Sequence, residues 1–151
     1  MAKGGDAGNA GRQLVHRLFV YGTLLRGESR HHYVKRGNPA RILPASAPGY
    51  LLDLGRYPAF VAARGRSARP VRGELVEFSD IEPALAGLDR VEGIAGVPEE
   101  RAEYRREVIL VTTDDGNELP AWVYVANIVP AGAQRIPSGD WRQWRRDAKG
   151  R

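Results

Sequence analysis

Apolar positions along the chain change period several times, and each change marks a different element. Residues 15–21 read VHRLFVY, apolar and β-branched or aromatic toward the end, which predicts a buried first strand. The run empties abruptly into Gly22-Thr23. The polar, basic stretch 28–36 that follows suits a short helix ended by Gly37 and Pro39. Residues 42–54 are strand-like but carry Pro44 and Pro48-Gly49, which predicts a bent or bulged pair of strand pieces. Gly55-Arg56-Tyr57-Pro58 is a turn, because the residue before proline avoids the helical region. A brief strand at 59–63, a basic loop at 64–70 and the strand VRGELVEF at 71–78 come next.

The period then becomes helical. Ser79 and Glu82 have the spacing of a capping box, and Pro83 falls in the first turn, where its missing N–H costs little. Ile81, Leu85, Leu88 and Val91 share one face, and Gly93 ends the helix. After a loop at 94–103, residues 104–113 and 118–126 alternate as a hairpin around Asp114-Asp115-Gly116-Asn117. Residues 129–139 are turn-rich, and Asp140 is placed to cap a last helix on which Trp141 and Trp144 share a face. Strands outnumber helices and the βαβ alternation of a doubly wound sheet is missing, so the fold class is α+β. The expected organisation is a flexible leader at 1–13, one domain at 14–141 and a basic end at 142–151.

Composition narrows the picture. A chain of 151 residues with 42% hydrophobic and 27% charged residues is in the range of one ordinary globular domain. No apolar run approaches the roughly 20 residues of a membrane span, and the leader has no apolar signal core. Cytoplasm is therefore the default expectation. The absence of cysteine removes disulfides, thiolate metal sites and a cysteine nucleophile. The net charge of +5 invites a nucleic-acid reading, but it sits at the ends: 1–17 carry +2, 141–151 carry +4 and 18–140 carry −1. Nucleic acid is accordingly not the expected partner, and oligomeric state is left open.

Two features carry chemistry. The Gly22-Thr23 turn leaves successive backbone N–H groups able to cradle an anion or a carbonyl oxygen. Glu92 stands at the last turn of the amphipathic helix, in LDRVEG, where the helix C-terminus and any burial raise a carboxyl pKa. It reads either as a general base and acid or as a surface glutamate on a frayed end. Asp89 reads as structural, paired with Arg90 or Arg106. His31 and His32 are adjacent and diverge, and with His16 the only other histidine no zinc site is indicated. No nucleophile elbow, P-loop or G-x-G-x-x-G occurs. Asp114 and Asp115 are turn formers, and at least two of Tyr21, Tyr104 and Tyr124 read as core tyrosines with hydroxyls at a rim.

The motifs FVYGTLL at 19–25, LGRYPAFV at 54–61, VRGELVEF at 71–78, LDRVEG at 88–93, YRREVILV at 104–111, AWVYVAN at 121–127 and IPSGDW at 136–141 occur in the order of a known family. The chain resembles the gamma-glutamylcyclotransferase-like proteins. The resemblance implies a small mixed β-barrel flanked by short helices, no cofactor or metal, and a small gamma-glutamyl substrate as partner. It implies cyclisation of a gamma-glutamyl group with release of 5-oxoproline and an amine or amino acid. By position, Tyr21, Gly22, Thr23 and Leu24 would hold the glutamyl group, Glu92 would be catalytic, and Tyr57, Tyr104 and Tyr124 would complete the substrate site. The ten residues of 94–103 are a longer connection than expected and would shape the pocket rim. Two rival readings are a non-catalytic ligand- or protein-binding module on the same fold and a nucleic-acid-associated protein acting through its basic ends.

Overall fold

The computed structural model describes residues 15–63 and 69–149. The leader expected at 1–13 and most of the basic loop at 64–70 lie outside them. The strands are β1 (Arg17–Val20), β2 (Pro39–Asp53), β3 (Pro58–Ala62), β4 (Pro70–Phe78), β5 (Tyr104–Thr113), β6 (Glu118–Ala126) and β7 (Gln134–Ile136). The helices are α1 (His31–Lys35), α2 (Ile81–Val91) and α3 (Trp141–Lys149), with a 3-10 turn at Glu99–Arg101.

β1, β4, β2, β3 and β6 pair in that order, and β6 returns to β1, closing a barrel. The β1–β6 and β3–β6 pairs are parallel and the rest antiparallel, so the barrel is mixed. β5 pairs along β6 and reaches β2, while β7 adds to the β2 edge. This is the α+β barrel with short helices that the sequence implied.

β2 departs from expectation. It is one strand of 15 residues, not two pieces. A residue's N–H and C=O point to the same strand edge, and the Pro44 carbonyl accepts from Asp114 N–H (3.2 Å), beside β5. The missing N–H of Pro44 therefore faces β5, and Pro48, four residues on, faces the same way. Both prolines spare the β4 ladder, which runs in register from Arg41–Glu77 to Pro48–Pro70. The expected capping box is also absent. Asp80, in an extended conformation, is the N-cap of α2, and no side chain caps that helix. Asp140 does cap α3, its Oδ1 accepting from Gln143 N–H at 3.1 Å.

The core lies on two sides of the barrel wall. Phe19, Leu51, Phe60, Leu75, Val123 and Val125 fill the interior, with Trp141 closing it. Leu18, Val20, Val76 and Phe78 face outward onto Val34 of α1 and Ile81, Leu85 and Leu88 of α2. β1 is thus buried on both faces, which is why its sequence is an unbroken apolar run rather than an alternation.

Glycines mark where strands come closest. A Cβ on Gly73 would lie 2.1 Å from the Val20 carbonyl oxygen, whereas one on Gly87, inside α2, would meet nothing within 4 Å. Gly73→Ala is expected to cost about 1–3 kcal/mol through overpacking, and Gly87→Ala to add about 0.5–1 kcal/mol through helix propensity. Thermal unfolding should move in opposite directions for the two variants.

Candidate active site at the fork between β1 and β3

β5 occupies one edge of β6, and two strands share the other. Leu18 of β1 lies opposite Trp122, and Phe60 of β3 opposite Val125. Both run parallel to β6, so the end of β1 and the start of β3 compete for the same stretch and diverge. Gly22 passes Pro58 so closely that a Cβ would sit 2.5 Å from its Cγ. Close approach, not a left-handed backbone, is what requires glycine at position 22; positive φ occurs later, at Gly27.

The turn that leaves β1 is pinned through its carbonyls. Gly22 accepts from Leu25 N–H (3.0 Å) and Thr23 from Arg30 N–H (2.8 Å). His31 donates through Nδ1 to the Leu24 carbonyl at 2.8 Å. The buried Glu74 carboxylate accepts from Arg26 N–H, also at 2.8 Å. The N–H groups of Thr23 and Leu24 have no partner among the described residues.

The end of α2 forms the opposite wall. Gly93 has φ +72°, and the N–H groups of Gly93 and Ile94 close on the carbonyls of Arg90 (3.2 Å) and Asp89 (2.8 Å). This is a Schellman ending, which sets Glu92 at the C-cap. One turn earlier, Asp89 accepts two bonds from Arg106 (2.9 and 3.1 Å) and one from the Tyr124 hydroxyl (2.7 Å). Arg106 in turn lies over the Trp122 ring at 4.4 Å. Asp89 is therefore structural, as read from sequence, with Arg106 and not Arg90 as partner, and it straps the helix end to β5 and β6.

Glu92, the turn residues Tyr21, Gly22, Thr23 and Leu24, and the tyrosines Tyr57, Tyr104 and Tyr124 line one open cavity. Tyr21 donates to the Tyr124 carbonyl (2.6 Å) and Tyr104 to the Pro58 carbonyl (3.2 Å), bracing the fork from both sides. Burial, with lesser contributions from neighbours including Glu92, raises the pKa of Tyr21, Tyr104 and Tyr124 well above the usual phenol value, so all three are neutral.

Glu92 as a whole is half-buried, but its carboxyl end is poorly solvated and has no hydrogen-bond partner among the described residues. Burial is the leading cause that pushes its pKa up to about 7; Arg30 pulls it down and Asp89 pushes it further up. Such a carboxyl divides between its two forms at neutral pH and can both take and return a proton.

Sequence reasoning passed over Arg30, which lines the same cavity and lies over the Tyr57 ring at 5.4 Å. Its one signal was position, in the segment directly after the turn. The loop 94–103 contributes no lining residue to this cavity itself. Instead Arg101 and Glu103 border a groove that adjoins it through Tyr57 and Tyr104. Asp114 pairs with Arg72 and Asp115 with Thr113, both within turn structure. Trp141 is buried, and Trp144 Nε1 donates to Asp53 at 2.8 Å.

The family model for gamma-glutamyl cyclotransferase, AIG2-like proteins matches residues 18–143. The chain belongs to that family. It is 35% identical over 138 residues to the gamma-L-glutamyl-butirosin B gamma-glutamyl cyclotransferase of Niallia circulans, covering 89% of this chain and 81% of that one. Among solved structures it resembles YkqA of Bacillus subtilis (TM-score 0.64, 26% identity) over 90% of its own length but only 43% of YkqA. A mouse AIG2-like protein matches with a TM-score of 0.58 and 25% identity, over 76% of this chain and 80% of that one. Among the described residues no helix is long and apolar enough to cross a membrane.

The raised Glu92 pKa has a consequence for this family member's stability. The folded state holds a proton on Glu92 up to about pH 7, whereas an unfolded glutamate has released it near 4.5. Between those values the folded state binds more protons, so stability falls as pH rises through this window. Glu92→Gln removes the loss. Its melting temperature should exceed the parent's, with the difference larger at pH 8 than at pH 4.

Proposed function

We propose that the protein catalyses intramolecular cyclisation of a gamma-glutamyl amide, releasing 5-oxoproline and an amine or amino acid. The observation that carries this reading is the Glu92 carboxyl, poorly solvated and without a hydrogen-bond partner among the described residues, in the same cavity as the unpartnered N–H groups of Thr23 and Leu24.

In this reading the substrate's α-amine is the nucleophile, so no serine or cysteine is needed. Glu92 takes a proton from the amine as its nitrogen bonds to the γ-carbonyl carbon, closing a five-membered ring. The carbonyl oxygen becomes an oxyanion, which accepts from the Thr23 and Leu24 amides. As the oxyanion collapses, the bond from that carbon to the leaving nitrogen breaks, and Glu92 returns the proton to the leaving amine. No water, metal or redox cofactor enters the balance. Attack within one molecule removes the entropy cost of bringing two together, so holding the glutamyl chain folded supplies much of the acceleration. The hydroxyls of Tyr21 and Tyr104, committed to carbonyls, act as walls rather than as competing bases. The leaving group extends past Tyr57 and Tyr104 into the groove bordered by Arg101 and Glu103.

The test is to incubate purified protein with a panel of gamma-glutamyl amines, amino acids and peptides and to measure 5-oxoproline. Glu92→Gln should lower kcat by about 10²-fold or more, the usual worth of general acid–base catalysis. In the parent, kcat/KM should rise with pH through about 7 as Glu92 ionises. The groups that face it are Arg30, Asp89, Tyr21, Tyr104 and Tyr124. Unchanged turnover in the Gln variant removes Glu92 from the mechanism. A folded parent that turns over none of the panel overturns the cyclotransferase reading.

A further inference from the structure

Arg30 is the one cation lining the Glu92 cavity among the described residues. Its backbone N–H is tied to Thr23, so the residue is fixed relative to the turn. Its guanidinium lies over the Tyr57 ring at 5.4 Å and makes no hydrogen-bonded ion pair among the described residues, while its charge acts on the Glu92 carboxyl in the same cavity. A guanidinium held by a cation–π contact keeps its N–H donors available to a further partner. The guanidiniums of Arg26 and Arg106, on neighbouring parts of the fold, are committed to Glu74 and Asp89. A cation with no hydrogen-bonded carboxylate partner among the described residues is therefore held beside Glu92 at the site.

The chemistry of the proposed reaction says what belongs there. The amine that Glu92 must deprotonate sits on a carbon that also bears a carboxylate. Delivering that amine brings a second negative charge close to Glu92, in a poorly solvated place where like charges repel strongly. A cation between them relieves the repulsion, and a planar guanidinium matches a carboxylate with two parallel bonds. We propose that Arg30 is the carboxylate anchor of the site, taking the α-carboxylate of the glutamyl group and so selecting α-amino-acid substrates over amines that lack it. The turn amides are then left for the γ-carbonyl oxygen. This assignment rests on the cyclotransferase reading for the identity of the substrate, but its test also has a readout that needs no turnover.

Two ligand pairs isolate the carboxylate. 5-Oxoproline and 2-pyrrolidinone differ only by it, as do gamma-glutamyl anilide and 4-aminobutyryl anilide, and both anilides can close a five-membered ring. Binding of the first pair is measured by NMR titration, and turnover of the second by aniline release, with parent, Arg30→Gln and Arg30→Lys. Circular dichroism checks that the variants are folded. Arg30→Gln should weaken 5-oxoproline binding and lower kcat/KM for gamma-glutamyl anilide by about 10–100-fold, the worth of a charged hydrogen-bonded pair, while changing the two carboxylate-free compounds less than about twofold. Arg30→Lys should recover part of the loss, because it restores charge without the planar fork. Equal losses on both members of a pair, no loss on either, or no binding of 5-oxoproline by the parent overturns the anchor. Arg30-dependent binding of 5-oxoproline without turnover keeps the anchor and discards the cyclisation. Equal kcat/KM for both anilides in the parent does the reverse.

Discussion

One strand edge with two claimants organises this molecule. β6 accepts β1 and β3 as parallel neighbours on the same edge, and neither can continue through the other. β1 must leave the sheet after Val20, and the chain turns with amides that no ladder satisfies. A buried strand that stops for want of a partner creates polar backbone groups beside a crevice. The same logic places ligands where neighbouring strands diverge in open parallel sheets. Here the divergence occurs in a closed barrel, and hydroxyl-to-carbonyl bonds from Tyr21 and Tyr104 hold it open at a fixed width.

The second constraint is electrostatic. Asp89 and Glu92 stand one helical turn apart, yet their surroundings differ. Arg106 and the Tyr124 hydroxyl satisfy Asp89, which serves as a strap. Glu92 receives no such bond and is left responsive to pH. Two carboxyls of similar intrinsic acidity thus acquire different roles from their neighbours alone. The raised Glu92 pKa costs the folded state some stability at neutral pH.

Much of this was legible from residues. The hairpin of β5 and β6 was read to its ends, because alternation and an Asp-Gly turn are local signals. The face of α2 and the stop at Gly93 were local as well, and with them the position of Glu92. The failures share a cause. Pro44 and Pro48 look like breaks until one knows which strand edge they face, and that is a property of the sheet. Ser79 has the spacing of a cap, but the chain enters α2 through Asp80. The three residues of β7 exist as a strand only because the edge of β2 is there to receive them. Arg30 sits in a polar, basic stretch read only as a short helix, and only the fold turns it toward Tyr57 and the cavity. Local chemistry was readable; most of what depended on a distant partner was not, the Asp89–Arg106 pair being an exception.

The bond from the Tyr21 hydroxyl to the Tyr124 carbonyl joins residues 103 positions apart. A contact of such separation requires a long loop to close before it can form. During synthesis the 21–24 turn leaves the ribosome well before β6 exists to divide β1 from β3. A nascent chain therefore carries the turn and, later, Glu92, without the walls that bring them into one cavity. The cavity is lined from the 21–24 turn, the end of α2 and β6 together, so a chain that stops short of β6 lacks part of its wall.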